Sequence, residues 1–175
     1  MTLCSTSDLK ALLIMIYPSF SAMVSAAAEQ VRELMPWDVD ELRRAQPQVL
    51  IVDIREPEEF AQAHIAGSLL VPRGVLEAAS DWGYSDTVPA LACARQQPVV
   101  LVCRSGNRTA LAALALQQLG FEQVVSMKTG VRGWNDYELP LVDASGAPVD
   151  IDLADQLLNP ALRPEQKAPA RSGHA

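Results

Sequence analysis

Residues 98–120 read PVVLVCRSGNRTALAALALQQLG. The opening run, PVVLVC (98–103), is apolar and β-branched, the pattern of a strand buried on both faces of a parallel sheet. The chain then turns polar through CRSGN, and RTALAALALQQLG (108–120) predicts a helix ended by Gly120. That helix is apolar on most of its faces, so it must pack between a sheet and other elements.

The same alternation extends outward. Downstream, EQVVSM (122–127) predicts a strand and GVRGWNDYELP (130–140) a short helix closed by Pro140. Upstream, QVLIVD (48–53) is a second buried strand, followed by EPEEFAQAH, where Pro57 and the acidic residues suit a first helical turn. SLLVP (68–72) predicts a short strand and GVLEAAS (74–80) a helix. AAAEQVRELM (26–35) reads as a helix ended by Pro36, and DELRRAQ as another, capped by Asp38 or Asp40 and stopping before Pro47. Strands alternating with helices predict an α/β fold, a mostly parallel sheet with helices on both faces. Beyond about residue 158, NPALRPEQKAPARSGHA predicts a disordered tail.

The chain has 175 residues, enough for one ordinary domain with extensions. A net charge of −7 argues against nucleic acid as a partner and makes any local positive site stand out. Three cysteines without a C-x-x-C pair, and only two histidines, argue against a disulfide framework and against a metal site. At the N-terminus, Lys10, the apolar run 11–17 and the small residues 25–28 form a partial secretory-signal pattern. Asp8, Pro18, Ser19 and Ser21 interrupt it, leaving a packing helix or a start at Met23 as alternatives. No run reaches the roughly 18 uninterrupted apolar residues of a membrane span, so no stable membrane association is expected.

Cys103 closes the central strand and opens the loop into the long helix, where chemistry gathers in open α/β sheets. Inward loop amides, the positive end of the helix, Arg104 and Arg108 all favour thiolate over a thiol whose ordinary pKa is about 8.5. Gly106 relieves a tight loop, and Ser105 and Asn107 tolerate the same turn geometry. The bland alternative is an inert cysteine ending a core strand; the two arginines and the glycine weigh against it.

VVLVCRSGNRTALAALALQQLGF resembles the active-site segment of rhodanese-like sulfurtransferases. VLIVDIREPEEFAQAHIAGSLLVP resembles the first signature of that family, and GVRGWNDYELPL its C-terminal signature. The resemblance implies a five-stranded, mostly parallel sheet spanning a domain at 37–145, between an N-terminal helical extension (1–36) and a C-terminal extension (146–175). It implies Cys103 as nucleophile and persulfide carrier, with Arg104, Ser105, Gly106, Asn107 and Arg108 holding an anionic donor. Sulfur would pass from thiosulfate or a persulfide donor to a thiol, a protein sulfur carrier or cyanide, without metal or organic cofactor. One alternative is a persulfide carrier or binding module with little small-molecule turnover. The other, a cysteine phosphatase or arsenate reductase, resembles C-x5-R; here Arg108 follows Cys103 after four residues, and Thr109 occupies the wider position. Where two-domain thiosulfate enzymes of the family carry an additional arginine, this chain has Glu59, which makes a protein persulfide a competitor to thiosulfate as donor.

For the remaining polar residues a supporting role is expected. Asp53 and Arg55 read as an ion pair locking the strand end against the active loop, and His64 as a hydrogen-bonding turn residue rather than a base. Trp134 should pack on the sheet, and Cys93 should be a buried residue rather than a resolving thiol. Arg73 is a candidate for the pocket mouth. A free catalytic thiol needs reduction, so the expected location is cytoplasmic, or periplasmic if residues 1–28 are a signal peptide.

Overall fold

The computed structural model describes residues 16–168. Cys4, most of the apolar run 11–17 and the last residues of the C-terminal tail lie outside the described residues. Five strands form one parallel sheet in the order β1-β5-β4-β2-β3, with β1 Arg32–Leu34, β2 Leu50–Asp53, β3 Leu69–Leu70, β4 Pro98–Val102 and β5 Gln123–Met127. The central strand β4 pairs with both β2 and β5 and is buried on both faces: Val99 and Leu101 join one core, Val100 and Val102 the other. This is the pattern that the near-continuous apolar run required.

Helices cover both faces. Against one lie α1 (Phe20–Ala28), α4 (Leu76–Ala79), α5 (Pro89–Ala92) and the twelve-residue α6 (Asn107–Gln118), with α1 lying on α6. Against the other lie α2 (Pro36–Ala45), α7 (Gly130–Asp136) and α8 (Ile151–Leu158); α3 (Pro57–Gln62) connects β2 to β3. Trp134 of α7 is fully buried there and donates its indole N–H to the Pro140 carbonyl at 3.1 Å.

The segment 26–35 departs from the sequence expectation of a helix ended by Pro36. Helix α1, capped by the Ser19 hydroxyl at Ala22 N, ends at Ala28, and Arg32–Leu34 is an edge strand in register with Val125–Met127. Pro36 starts α2 instead of ending a helix, a first-turn position where its missing N–H costs nothing. Asp38 and Asp40 are therefore inside α2: Asp38 accepts from Met35 N, and Asp40 pairs with Arg43 and Arg44.

The C-terminal extension carries a helix that the sequence reading does not include, just before the stretch expected to be a disordered tail. Asp150 caps α8, whose Ala154 and Leu158 are buried against the core beside α7. Past Leu158 the described chain is exposed, with one 3-10 turn at Pro164–Gln166.

Candidate active site

Cys103 follows the last residue of β4, and Gly106 precedes the first residue of α6, so the loop spans a strand end and a helix N-terminus. Gly106 adopts φ +87, a left-handed conformation that lets the chain turn into α6 and aim its N–H back at the Cys103 sulfur, 3.2 Å away. A Cβ there would also come within 3.0 Å of Thr129 N. Behind the sulfur, the Thr109 hydroxyl lies 3.8 Å from Sγ, donates to the Gly106 carbonyl at 2.7 Å and contacts the Ser126 hydroxyl at 2.9 Å. Thr109, the C-x5-R position, is thus a buried support of the loop.

The first turn of α7 clamps the loop from the other side. Val131 N donates to the Cys103 carbonyl at 2.8 Å, and Arg132 N to the Arg104 carbonyl at 3.0 Å. Gly130, at φ +62, makes that approach possible: a Cβ on it would lie 2.2 Å from the Cys103 carbonyl oxygen. Gly130, Val131 and Arg132 carry no local signal of this role in the sequence; in their segment only Trp134 stands out, by its bulk.

The two loop arginines sit in different surroundings. Arg108 is half-buried and forked onto Glu59, with Nη1–Oε2 and Nη2–Oε1 both 2.9 Å. Burial pushes the Glu59 carboxyl up, but the hydrogen bonds and charge of Arg108, helped by the Glu56 amide and Arg55, outweigh it and leave the pKa lowered. Arg108 is correspondingly raised, first by the Glu59 hydrogen bonds and, further down, by the Cys103 sulfur beside it. Arg104 is exposed and has no side-chain partner among the described residues.

Asp53 and Arg55 form a buried bidentate pair: Arg55 Nε is 2.9 Å from Oδ1 and Nη2 is 2.6 Å from Oδ2. The remaining Nη2 contact goes to the Ala63 carbonyl at 2.7 Å, so the pair ties the end of β2 to the segment after α3 instead of to the active loop. His64 stacks on Phe60 at 3.8 Å, shares Nδ1 with the Phe60 carbonyl, and exchanges backbone hydrogen bonds with Val142. Arg73 pairs with Glu77 and does not reach the loop's clefts. Cys93, expected to be buried, is exposed at the C-terminal end of the one-turn α5, whose inward positions are taken by Leu91 and Ala92. Among the described residues no cluster of three His, Cys, Asp or Glu side chains converges to hold a metal ion, and no helix is long and apolar enough to cross a membrane.

Two clefts open on the loop's outer face. One, of about 410 Å³, lies between the loop, Glu59 and Phe20 of α1. The other, of about 290 Å³, lies between Arg104, Ser105, Asn107, Arg132 and the chain at 158–160. Cys103 itself is 0% exposed and is not among the residues lining either cleft.

The family model described as Rhodanese-like domain matches residues 38–137. A sulfurtransferase of Allochromatium vinosum is 33% identical over 98 residues, 56% of this chain and 82% of that protein. The polysulfide-sulfur transferase homodimer of Wolinella succinogenes superposes with a TM-score of 0.55 at 30% identity, covering 72% of this chain and 88% of that one. A Rhodopseudomonas palustris protein of unknown function, described as a possible tyrosine phosphatase, superposes with a TM-score of 0.65 at 30% identity, covering 73% and 96%. The chain spans about two thirds or less of the length of the first curated relatives it matches. With the family model covering more than half its length, and a cysteine between a parallel strand and a helix N-terminus inside the match, the chain belongs to the rhodanese-like domain family.

Proposed function

We propose that the protein is a sulfurtransferase that carries sulfane sulfur as a persulfide on Cys103. The observation that carries this reading is the Gly106 N–H aimed at the Cys103 sulfur from the start of α6, an arrangement that holds an anionic sulfur. With thiosulfate as donor, the Cys103 thiolate attacks the outer sulfur, a new S–S bond forms, and sulfite leaves with the electron pair of the bond that breaks. An acceptor thiolate, or cyanide, then attacks the outer sulfur of the persulfide and returns the pair to Cys103. One transfer is split into two displacements, and neither needs a metal, an organic cofactor or an oxidant. No base is required of His64, which supports the scaffold. The donor is a small sulfur anion or a persulfide, and the acceptor is a thiol, cyanide or a protein sulfur carrier. The need for a reduced thiol favours the cytoplasm; a mature N-terminus near Glu29 would place the protein in the periplasm instead.

A second reading, a carrier that loads one sulfur and turns over little thiosulfate, is favoured by the Glu59–Arg108 fork, which cancels a charge a small dianion would use. Phosphatase or arsenate reductase chemistry is disfavoured because the loop is one residue short and Thr109 is committed to Gly106 and Ser126.

Thiocyanate formation from thiosulfate and cyanide, comparing native protein with Cys103→Ser, tests the proposal. Turnover lost in the variant supports transfer through Cys103. Slow turnover with an added mass of about 32 Da on the native chain supports the carrier reading, the persulfide being a reversible cap on the thiol. A chain that neither turns over nor gains sulfur from thiosulfate or a thiol persulfide refutes both.

A further inference from the structure

Seven arginines, at 43, 44, 55, 73, 95, 108 and 163, have a carboxylate partner. Arg32, Arg104 and Arg132 have none among the described residues, although the chain is acidic overall with a net charge of −7; Arg32 lies on the edge strand β1, and the other two lie at the active loop. Both line the same cleft, and their main chains are joined by the Arg132 N–Arg104 O hydrogen bond, so the two guanidiniums start from adjacent points beside Cys103. The cleft is otherwise edged by polar Ser105, Asn107 and Asn159, and Leu158 and Pro160 of the C-terminal extension close its far side. At about 290 Å³ it is at the small end of the range for ligand pockets and far roomier than a thiosulfate ion requires.

We propose that this cleft binds the carboxylate of a small thiol that exchanges sulfur with Cys103, with Arg104 and Arg132 as the anion-holding pair. A guanidinium presents a planar fork that matches a carboxylate bidentately, and two such forks in a cleft on the loop that carries Cys103 select a thiol with negative charge at one end. Arg108 is the other cation of the loop, but Glu59 already fills its fork. The thiolate attacks the outer sulfur of the Cys103 persulfide, the new S–S bond forms on the small thiol, and Cys103 regains its electron pair as thiolate. The proposal rests on the persulfide reading above and adds to it the class of partner and the role of Arg132.

The full chain, loaded with sulfur and checked by intact mass, is reacted with 3-mercaptopropionate and with its neutral amide, in native and Arg132→Gln forms. Each acceptor's own reactivity cancels when its rates are compared between the two proteins. The native preference for the carboxylate should fall roughly fivefold in the variant, a magnitude set by the exposure of the pair. An unchanged preference, or an equal slowing of both acceptors, overturns the assignment. An NMR shift titration with S-methyl-3-mercaptopropionate, which cannot react, should show binding that weakens in Arg132→Gln; equal binding overturns the proposal without any persulfide being needed. A thiol-free acidic heptapeptide competing at lower concentration than mercaptopropionate would give the cleft to a protein segment and overturn the small-thiol assignment. A native chain that never loads sulfur sinks the transfer reading, whereas one that loads but shows no Arg132-dependent preference sinks the cleft assignment alone.

Discussion

The two ends of the active loop carry the same residue type in opposite states. Arg108 is half-buried and both arms of its guanidinium are held by Glu59, while Arg104 is exposed and open to solvent. A motif with two arginines reads as two units of positive charge, but only one is left to meet an anion. The charge that a site offers to a reactant depends on what stands opposite each cation, and here that partner comes from α3, 49 positions away in the chain.

The contrast depends on the loop being held in place, so removing its support should have the largest effect. Gly130→Ala drives a Cβ into the Cys103 carbonyl and forces a residue with a side chain to φ +62. A loss of about 2–4 kcal/mol is expected, a fall in Tm on the order of 5–15 °C, with sulfur loading lost as the loop shifts. A melt within about a degree of native would show that α7 does not fix the loop.

Glu59→Gln sharpens the comparison directly by making Arg108 resemble Arg104. It should raise the ratio of kcat/KM for thiosulfate over a neutral thiol persulfide by roughly three- to tenfold, an effect that fades with added salt. An unaltered ratio in the thiocyanate assay would mean the fork does not govern which donor is preferred.

The smallest effect is on stability. Glu59 has a folded pKa below its ordinary value of 4.5, so its contribution is fully present above that value and is lost as pH falls through the depressed one. For a half-exposed pair the contribution is about 0.5 kcal/mol. Urea melts of native and Glu59→Gln should differ by about that amount at neutral pH and converge in acid; a gap that widens on acidification would contradict the sign.

What could be read beforehand followed from range. β4 and α6 are contiguous and strongly patterned, so the strand, the loop, the helix and the position of Cys103 were all legible, as were β2 and β5. β1 was not: Arg32–Leu34 has no β-branched residue, and its strand form comes from the hydrogen bonds β5 offers it. Pro36 illustrates the ambiguity of a single residue, since a proline stops one helix and starts another with equal ease. Gly130 against the Cys103 carbonyl and Glu59 against Arg108 are contacts between distant segments, and no local pattern announces them. The resemblance marked Glu59 as unusual but did not say what it would touch. The exposure of Cys93 has a simpler reason to be hidden: it lies just past a one-turn helix, too short to show a burial period.

The sheet ends on both sides in very short strands, three residues in β1 and two in β3. Unpaired N–H and C=O groups along an outer strand are a template on which another chain can add, and here each rim offers only a few. Edge-to-edge fibre growth thus finds little purchase on the folded protein, even though its longest apolar strands, β4 and β5, have sequences that would stack readily if exposed. Protection of those segments comes from their place in the middle of the strand order, so it lasts only as long as β1 and β3 stay docked.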